Sequence, residues 1–116
     1  MVDLGILYLL IVKHFFIDFV FQTGTEIESK SIYGDFYGTM HSIKHAVATG
    51  LIFYIFVSWE ISLILGIIDF FAHYHIDYVR ARFGCNDPNK LKFWQHLGLD
   101  QMLHYLTYLT MVWALL

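Results

Sequence analysis

Asp69-Phe70-Phe71-Ala72-His73-Tyr74-His75-Ile76-Asp77 decides how the chain is read. Ligand-type side chains recur there in steps of four within an apolar stretch. Residues four apart on a helix lie one above the other, roughly 5–6 Å apart at Cβ. Asp69, His73 and Asp77 therefore share one face, and His75 points away from it. The same step recurs at His14 and Asp18, at His41 and His45, and at Asp100 and His104. Apolar runs flank each pair, so four helices are expected, each carrying imidazole and carboxylate on one side.

The composition sets the expected surroundings. Hydrophobic residues make up 58% of the 116 and charged residues 15%, against roughly 25% charged in an ordinary soluble domain. Too few charges remain to cover a water-facing surface, which predicts lipid as the solvent for much of the exterior. A net charge of −3 without a basic run excludes nucleic acid as the expected partner. Cys85 is the only cysteine, so an intrachain disulfide or a thiolate metal cluster is excluded. Asp3 in place of a basic leader, with no small-residue cleavage pattern, predicts a retained first helix instead of a signal peptide.

The expected fold is all-α: one domain over residues 1–116, an integral-membrane bundle of four transmembrane helices running up-down-up-down. The spans are read at about 4–22, 41–58, 61–83 and 97–116, near the ~20 residues that cross a bilayer as a helix. His and Asp fall in the second half of spans one and three and in the first half of spans two and four. Alternating directions bring all of these polar halves to one end of the bundle. The two long polar links lie at that end too, with all seven basic residues in the same half. By the positive-inside rule this end faces the cytoplasm, with both termini outside, in a bacterial inner membrane.

Side chains that project inward from facing helices are how bundles build metal sites. The candidate ligands are His14, Asp18, His41, His45, Asp69, His73, Asp77, Asp100 and His104. Such an N/O set suits one or two divalent ions of zinc, manganese, iron or nickel. Without a metal the same residues would form a His–Asp network. Interhelical hydrogen bonds within membranes contribute only about 0.6 kcal/mol on average, a weak reason to bury nine ionisable groups. Asp77 and Asp18 are the candidate general bases. Lys44 and Arg80 are candidates for meeting an anionic group.

The motifs His14-Phe15-Phe16-Ile17-Asp18-Phe19-Val20-Phe21-Gln22, Lys30, His41/His45, His73-Tyr74-His75-Ile76-Asp77 and Asp100-Gln101-Met102-Leu103-His104 run in order through nearly the whole chain. Together they resemble an uncharacterised membrane family of bacteria and phages catalogued as domain of unknown function 3307. The chain departs from that pattern in carrying Arg80 and Arg82 where a lysine is expected after the third motif. The resemblance implies several membrane spans and no particular activity. The arrangement also resembles membrane-bound metal-dependent hydrolases, whose helices carry His and Asp near one face.

Three functions follow as expectations. The first is a metal-dependent hydrolase acting on a lipid or other membrane-surface substrate. The second is a non-catalytic phage or bacterial membrane protein whose metal or polar network is structural. Its loops, chiefly Thr23 to Met40, would bind a host membrane or cytoplasmic protein. The third is ion or proton transport, which the apolar far halves of the helices disfavour. A homo-oligomer is compatible with all three.

Overall fold

The computed structural model describes residues 2–116, whose regular elements are all helices, with no strand among them. Helix α1 (Val2–Phe15) runs into a π-helical turn (Phe16–Val20), and a short α2 (Gly24–Ser29) follows. Three long helices complete the chain: α3 (Phe36–Tyr54), α4 (Trp59–Phe83) and α5 (Leu91–Trp113).

Local chemistry places these boundaries. Thr23 and Glu26 form a reciprocal capping box, with the Glu26 N–H donating to Thr23 Oγ1 at 3.2 Å and the Thr23 N–H to Glu26 Oε2 at 3.3 Å. Gly34 adopts φ +82°, a conformation that favours glycine, and turns the chain into α3. Asp35 then caps α3 by accepting the Tyr37 N–H at 2.9 Å. Between α3 and α4 the chain reverses in four residues, held by the Val57 N–H on the Phe53 carbonyl at 2.9 Å.

The long helices form a closed ring in which α1 touches α3 and α5, and α4 touches the same two from the opposite side. The α3–α4 seam is the most extensive. A Cβ placed on Gly66 of α4 would stand 3.0 Å from the Ala46 carbonyl oxygen and 3.6 Å from Gly50 Cα. Only a bare backbone lets α4 sit this close to α3, and that spacing brings the histidines of the two helices into ring contact.

The interior divides along the ring axis. Ile6, Leu10, Phe53, Leu65, Tyr108, Met111 and Val112 form an apolar cluster at the end where α3 turns into α4 and where α5 finishes. The other half is polar. Among the described residues fifteen polar or charged ones are buried, against eight hydrophobic ones. Large apolar side chains such as Leu4, Leu51, Ile64 and Leu106 are instead exposed on the outer faces.

The expectation of membrane spans is corrected. No helix among the described residues is long and apolar enough to cross a membrane. Helix α1 has 14 residues before the π turn, about 21 Å at 1.5 Å per residue against a hydrocarbon core of ~30 Å. Helix α3 carries His41, Lys44 and His45, and α4 carries Glu60, Asp69, Asp77, Arg80 and Arg82. Helix α5 begins at Leu91, inside the expected polar link, and takes in Lys92 and Asp100. The transmembrane bundle, the inner-membrane location and the outside–cytoplasm orientation go with the spans. High apolar content produced the expectation, but these charged and histidine side chains interrupt the apolar windows of α3, α4 and α5.

Gly66→Val should lower the thermal midpoint by the equivalent of about 1–3 kcal/mol, the usual cost of overpacking. Gly98→Val, where a Cβ meets nothing within 4 Å, should cost nothing or stabilise slightly, because valine is the better helix former. Calorimetry on the two variants compares them directly, and equal losses would refute the role given to the α3–α4 seam.

Candidate metal centre

The polar half begins at the π turn. There the Phe21 N–H reaches the Phe16 carbonyl, five residues back, at 2.8 Å. This widened turn carries Asp18 to the ring axis, and π-bulges recur at functional sites for this reason. Asp18 Oδ1 lies 2.9 Å from His41 Nε2, 2.8 Å from His45 Nε2 and 3.8 Å from His73 Nε2. Ligands about 2.0–2.1 Å from a tetrahedral cation stand ~3.3 Å from one another, and the observed spacings bracket that value. Asp18, His41, His45 and His73 are all buried and form one group able to hold a metal ion. We call it the inner group.

A second group, Asp77, Asp100 and His104, lies towards the polar end of the ring. His104 Nε2 is 3.0 Å from Asp77 Oδ1 and 3.6 Å from Asp100 Oδ2. His73 joins the two groups. Its ring is stacked between those of His45, at 3.6 Å between centroids, and His104, at 4.1 Å. His73 is fully buried, yet both of its ring nitrogens lack a hydrogen-bond partner. Asp77 Oδ2 is within ion-pair distance of Lys30 Nζ, 2.9 Å, without an aligned hydrogen bond. Buried polar atoms are rarely left unpaired, because desolvation without a partner costs about 1–3 kcal/mol each. These orphans fit a cation, and the donor set of imidazole and carboxylate fits zinc, manganese, iron or nickel.

Charge leads to the same conclusion. Lys13 pairs with Asp69, Lys44 with Glu26, and Lys30 with Asp77. Among Asp18, Asp77 and Asp100 that leaves two negative charges uncompensated when the histidines are neutral, the charge of one divalent ion.

The remaining expected ligands occupy other positions. His14 has both nitrogens engaged: Tyr108 donates its hydroxyl to Nδ1 at 2.8 Å, and Nε2 faces Gln101 Oε1 at 2.8 Å and Asp18 Oδ2 at 3.1 Å. It also belongs to a third possible group, with His73 and His104. As bonded, His14 fixes the orientation of Asp18. Asp69 faces Lys13 Nζ at 3.0 Å and accepts from Thr49 Oγ1 at 2.5 Å, and it enters none of the three ligand groups. His75 and His96 serve as outer fasteners, accepting from the Tyr33 hydroxyl at 3.0 Å and the Cys85 N–H at 2.8 Å.

Several participants escaped the sequence reading. Glu26 lies 3.4 Å from His41 Nδ1. With Nε2 on a cation, His41 carries its proton on Nδ1 and donates it to Glu26, the arrangement that fixes metal-bound imidazoles. The Thr23-Gly24-Thr25-Glu26 capping box signalled its position. Tyr108 and Thr49 continue the steps of four from His104 and His45, so both were legible. Lys13 had no such signal. It reaches His45 Nδ1 at 3.1 Å from the neighbouring helix. An ammonium only donates, so His45 then carries its proton on Nε2. A cation at Nε2 takes the place of that proton, and Nδ1, then protonated, gives up the contact with Lys13, which stays paired with Asp69.

Titration follows the packing. Burial lowers Lys13, His45 and His73. Burial alone would raise Asp18, but hydrogen bonds from His14, His41 and His45 outweigh it and hold the carboxyl far below the usual range. Asp77 is likewise held low, against burial, by His73, Lys30 and His104. Burial disfavours the charged form of His104 too, yet Asp100 and Asp77 prevail and raise it to about 9.

The model of the family described as "Protein of unknown function (DUF3307)" matches residues 6–116. The chain belongs to this family. The motifs that carried the resemblance contain all seven residues of the inner and outer groups: Asp18, His41, His45, His73, Asp77, Asp100 and His104. No curated protein and no solved structure matches the chain.

Two predictions follow from these pairings. Lys13→Met should destabilise the fold by about 3–5 kcal/mol by stranding Asp69, and the double variant Lys13→Met/Asp69→Asn should recover much of the loss. Urea midpoints measure both, and a double variant no more stable than the single one would contradict the pairing. The second prediction concerns His104 in chelator-treated protein. Its protonated form is favoured by folding, so its contribution is complete below pH 6.5 and lost as pH rises through about 9. That contribution is at most about 3 kcal/mol. The urea midpoint should therefore fall across this window, and His104→Gln should flatten the fall; an unchanged slope would contradict the assignment.

Proposed function

We propose that this protein is a metal-dependent hydrolase acting on an anionic ester. The observation that carries this reading is the access to the outer group. Asp77 and Asp100, with Asp18 behind them, line a cleft of about 640 Å³ bordered by Lys30, Arg80, Gln22 and Gln101. Small-molecule sites commonly fall at roughly 300–1,000 Å³.

Asp77, Asp100 and His104 supply three ligands, the number that leaves a coordination position for water or substrate in catalytic sites. A divalent cation held there contributes Lewis acidity and brings the pKa of a water towards ~7. The cleft wall supplies the counter-charges for substrate. Arg80, its guanidinium 5.3 Å from the centre of the Phe93 ring, and Lys30 both border the space above the carboxylates. Asp18 and Asp77, the bases expected from the sequence, are held so far towards ionisation that they are weak proton acceptors. We therefore assign them to holding the cation.

One observation favours a second reading, in which the metal only staples the helices. The inner group offers four buried ligands, as closed structural sites do.

Metal analysis of the purified protein, followed by phosphoester and carboxylester screens with zinc, manganese, iron and nickel, tests the proposal. We expect metal-dependent hydrolysis that Asp100→Asn abolishes with the helical circular dichroism intact. Glu26→Gln should weaken metal affinity by about 10–100-fold, as loss of a ligand-orienting partner does. Bound metal with no hydrolysis of any ester would favour the structural reading, and no bound metal would sink both.

A further inference from the structure

We propose that the centre is dinuclear, with the Asp77 carboxylate bridging one cation in the inner group and one in the outer group. The inference rests on the metal-binding reading above and extends it to number and arrangement.

The two carboxylate oxygens of Asp77 face different ligand sets. Oδ1 lies 3.0 Å from His104 Nε2, on the outer side. Oδ2 lies 3.2 Å from His73 Nε2 and 3.6 Å from His41 Nε2, on the inner side. One carboxylate thus stands at ligand-to-ligand distance from both groups, and no helix has to move for it to serve each. Paired metal sites place their ions about 3.5–4 Å apart, a separation that a carboxylate spans with one oxygen on each ion.

The orphaned atoms lie along the same line. His73 Nε2 is between the groups, 3.2 Å from Asp77 Oδ2 and 3.8 Å from Asp18 Oδ1, without a hydrogen bond. Asp77 Oδ2 on the inner side and Asp100 Oδ1 on the outer side are also without hydrogen bonds. A single cation in either group would leave orphans in the other.

The charge balance then defines the substrate. Two divalent ions exceed the deficit of two negative charges by two positive charges. Arg80 on the cleft wall adds to that excess, whereas Lys30 is already balanced by Asp77. A doubly charged anion such as a phosphate monoester restores neutrality more fully than a neutral ester does.

The test uses the full chain, stripped with chelator and titrated with Mn²⁺ and, separately, Zn²⁺. Stoichiometry is read by calorimetry and elemental analysis, and Mn²⁺ spin coupling by electron paramagnetic resonance. We expect two ions per wild-type chain with a spin-coupled Mn²⁺ pair, and one ion each in His45→Ala and Asp100→Asn. In Asp77→Asn the coupled signal should disappear. Wild-type stoichiometry decides even where a variant fails to fold. One ion per wild-type chain for both metals would overturn the bridge and leave a mononuclear centre standing. No ion of either metal would overturn the underlying metal reading as well. Two ions without coupling would overturn the shared carboxylate.

Discussion

The structure depends on the burial of a cluster of opposed charges along the axis of a four-helix ring. Moving an ion out of water is costly unless partners surround it, and the effective cost in real proteins is still several kcal/mol per ion. Each long helix therefore contributes to the same cluster. Helix α1 with its π turn brings Lys13, His14 and Asp18; α3 brings His41 and His45; α4 brings Asp69, His73 and Asp77; and α5 brings Asp100 and His104. No helix can be displaced without stranding a charge on another.

This constraint inverts the usual distribution of side chains. The polar half of the interior is held by ion pairs and imidazole contacts, and the apolar half by a small cluster around Phe53 and Tyr108. Tyr108 joins the two. Its ring packs under the Lys13 ammonium, 4.7 Å from the centroid, while its hydroxyl orients His14. The inner group is buried among the helices, and the carboxylates of the outer group border the cleft.

Particular residues show how far pattern alone could go. The steps of four predicted which face of each helix turns inward, because one face of a helix is a local property of its period. They carry on past the ligands to Thr49 and Tyr108. The apolar composition was read as a set of membrane-crossing spans, and there it misled. The apolar residues coat the outer faces, yet charge within α3, α4 and α5 and the shortness of α1 leave no helix fit to cross. The spans drawn at 41–58 and 97–116 start five and six residues later than α3 and α5. The first turns of both helices, Phe36-Tyr37-Gly38-Thr39 and Leu91-Lys92-Phe93-Trp94, lie beyond the long apolar runs, and hydropathy alone does not mark where a helix starts.

By itself the sequence determined the helical character, the inward faces, the family and the identity of the ligand-type residues. Each of these depends on spacing along one chain or on the order of motifs. Only the tertiary structure decided which groups meet. It set Lys13 against Asp69 and His45, Glu26 behind His41, and the two oxygens of Asp77 towards different ligand sets. Those choices depend on the close approach at Gly66, the π turn at Asp18 and the order of helices around the ring. Distances between helices are fixed by packing, and a pattern within one helix carries no measure of them.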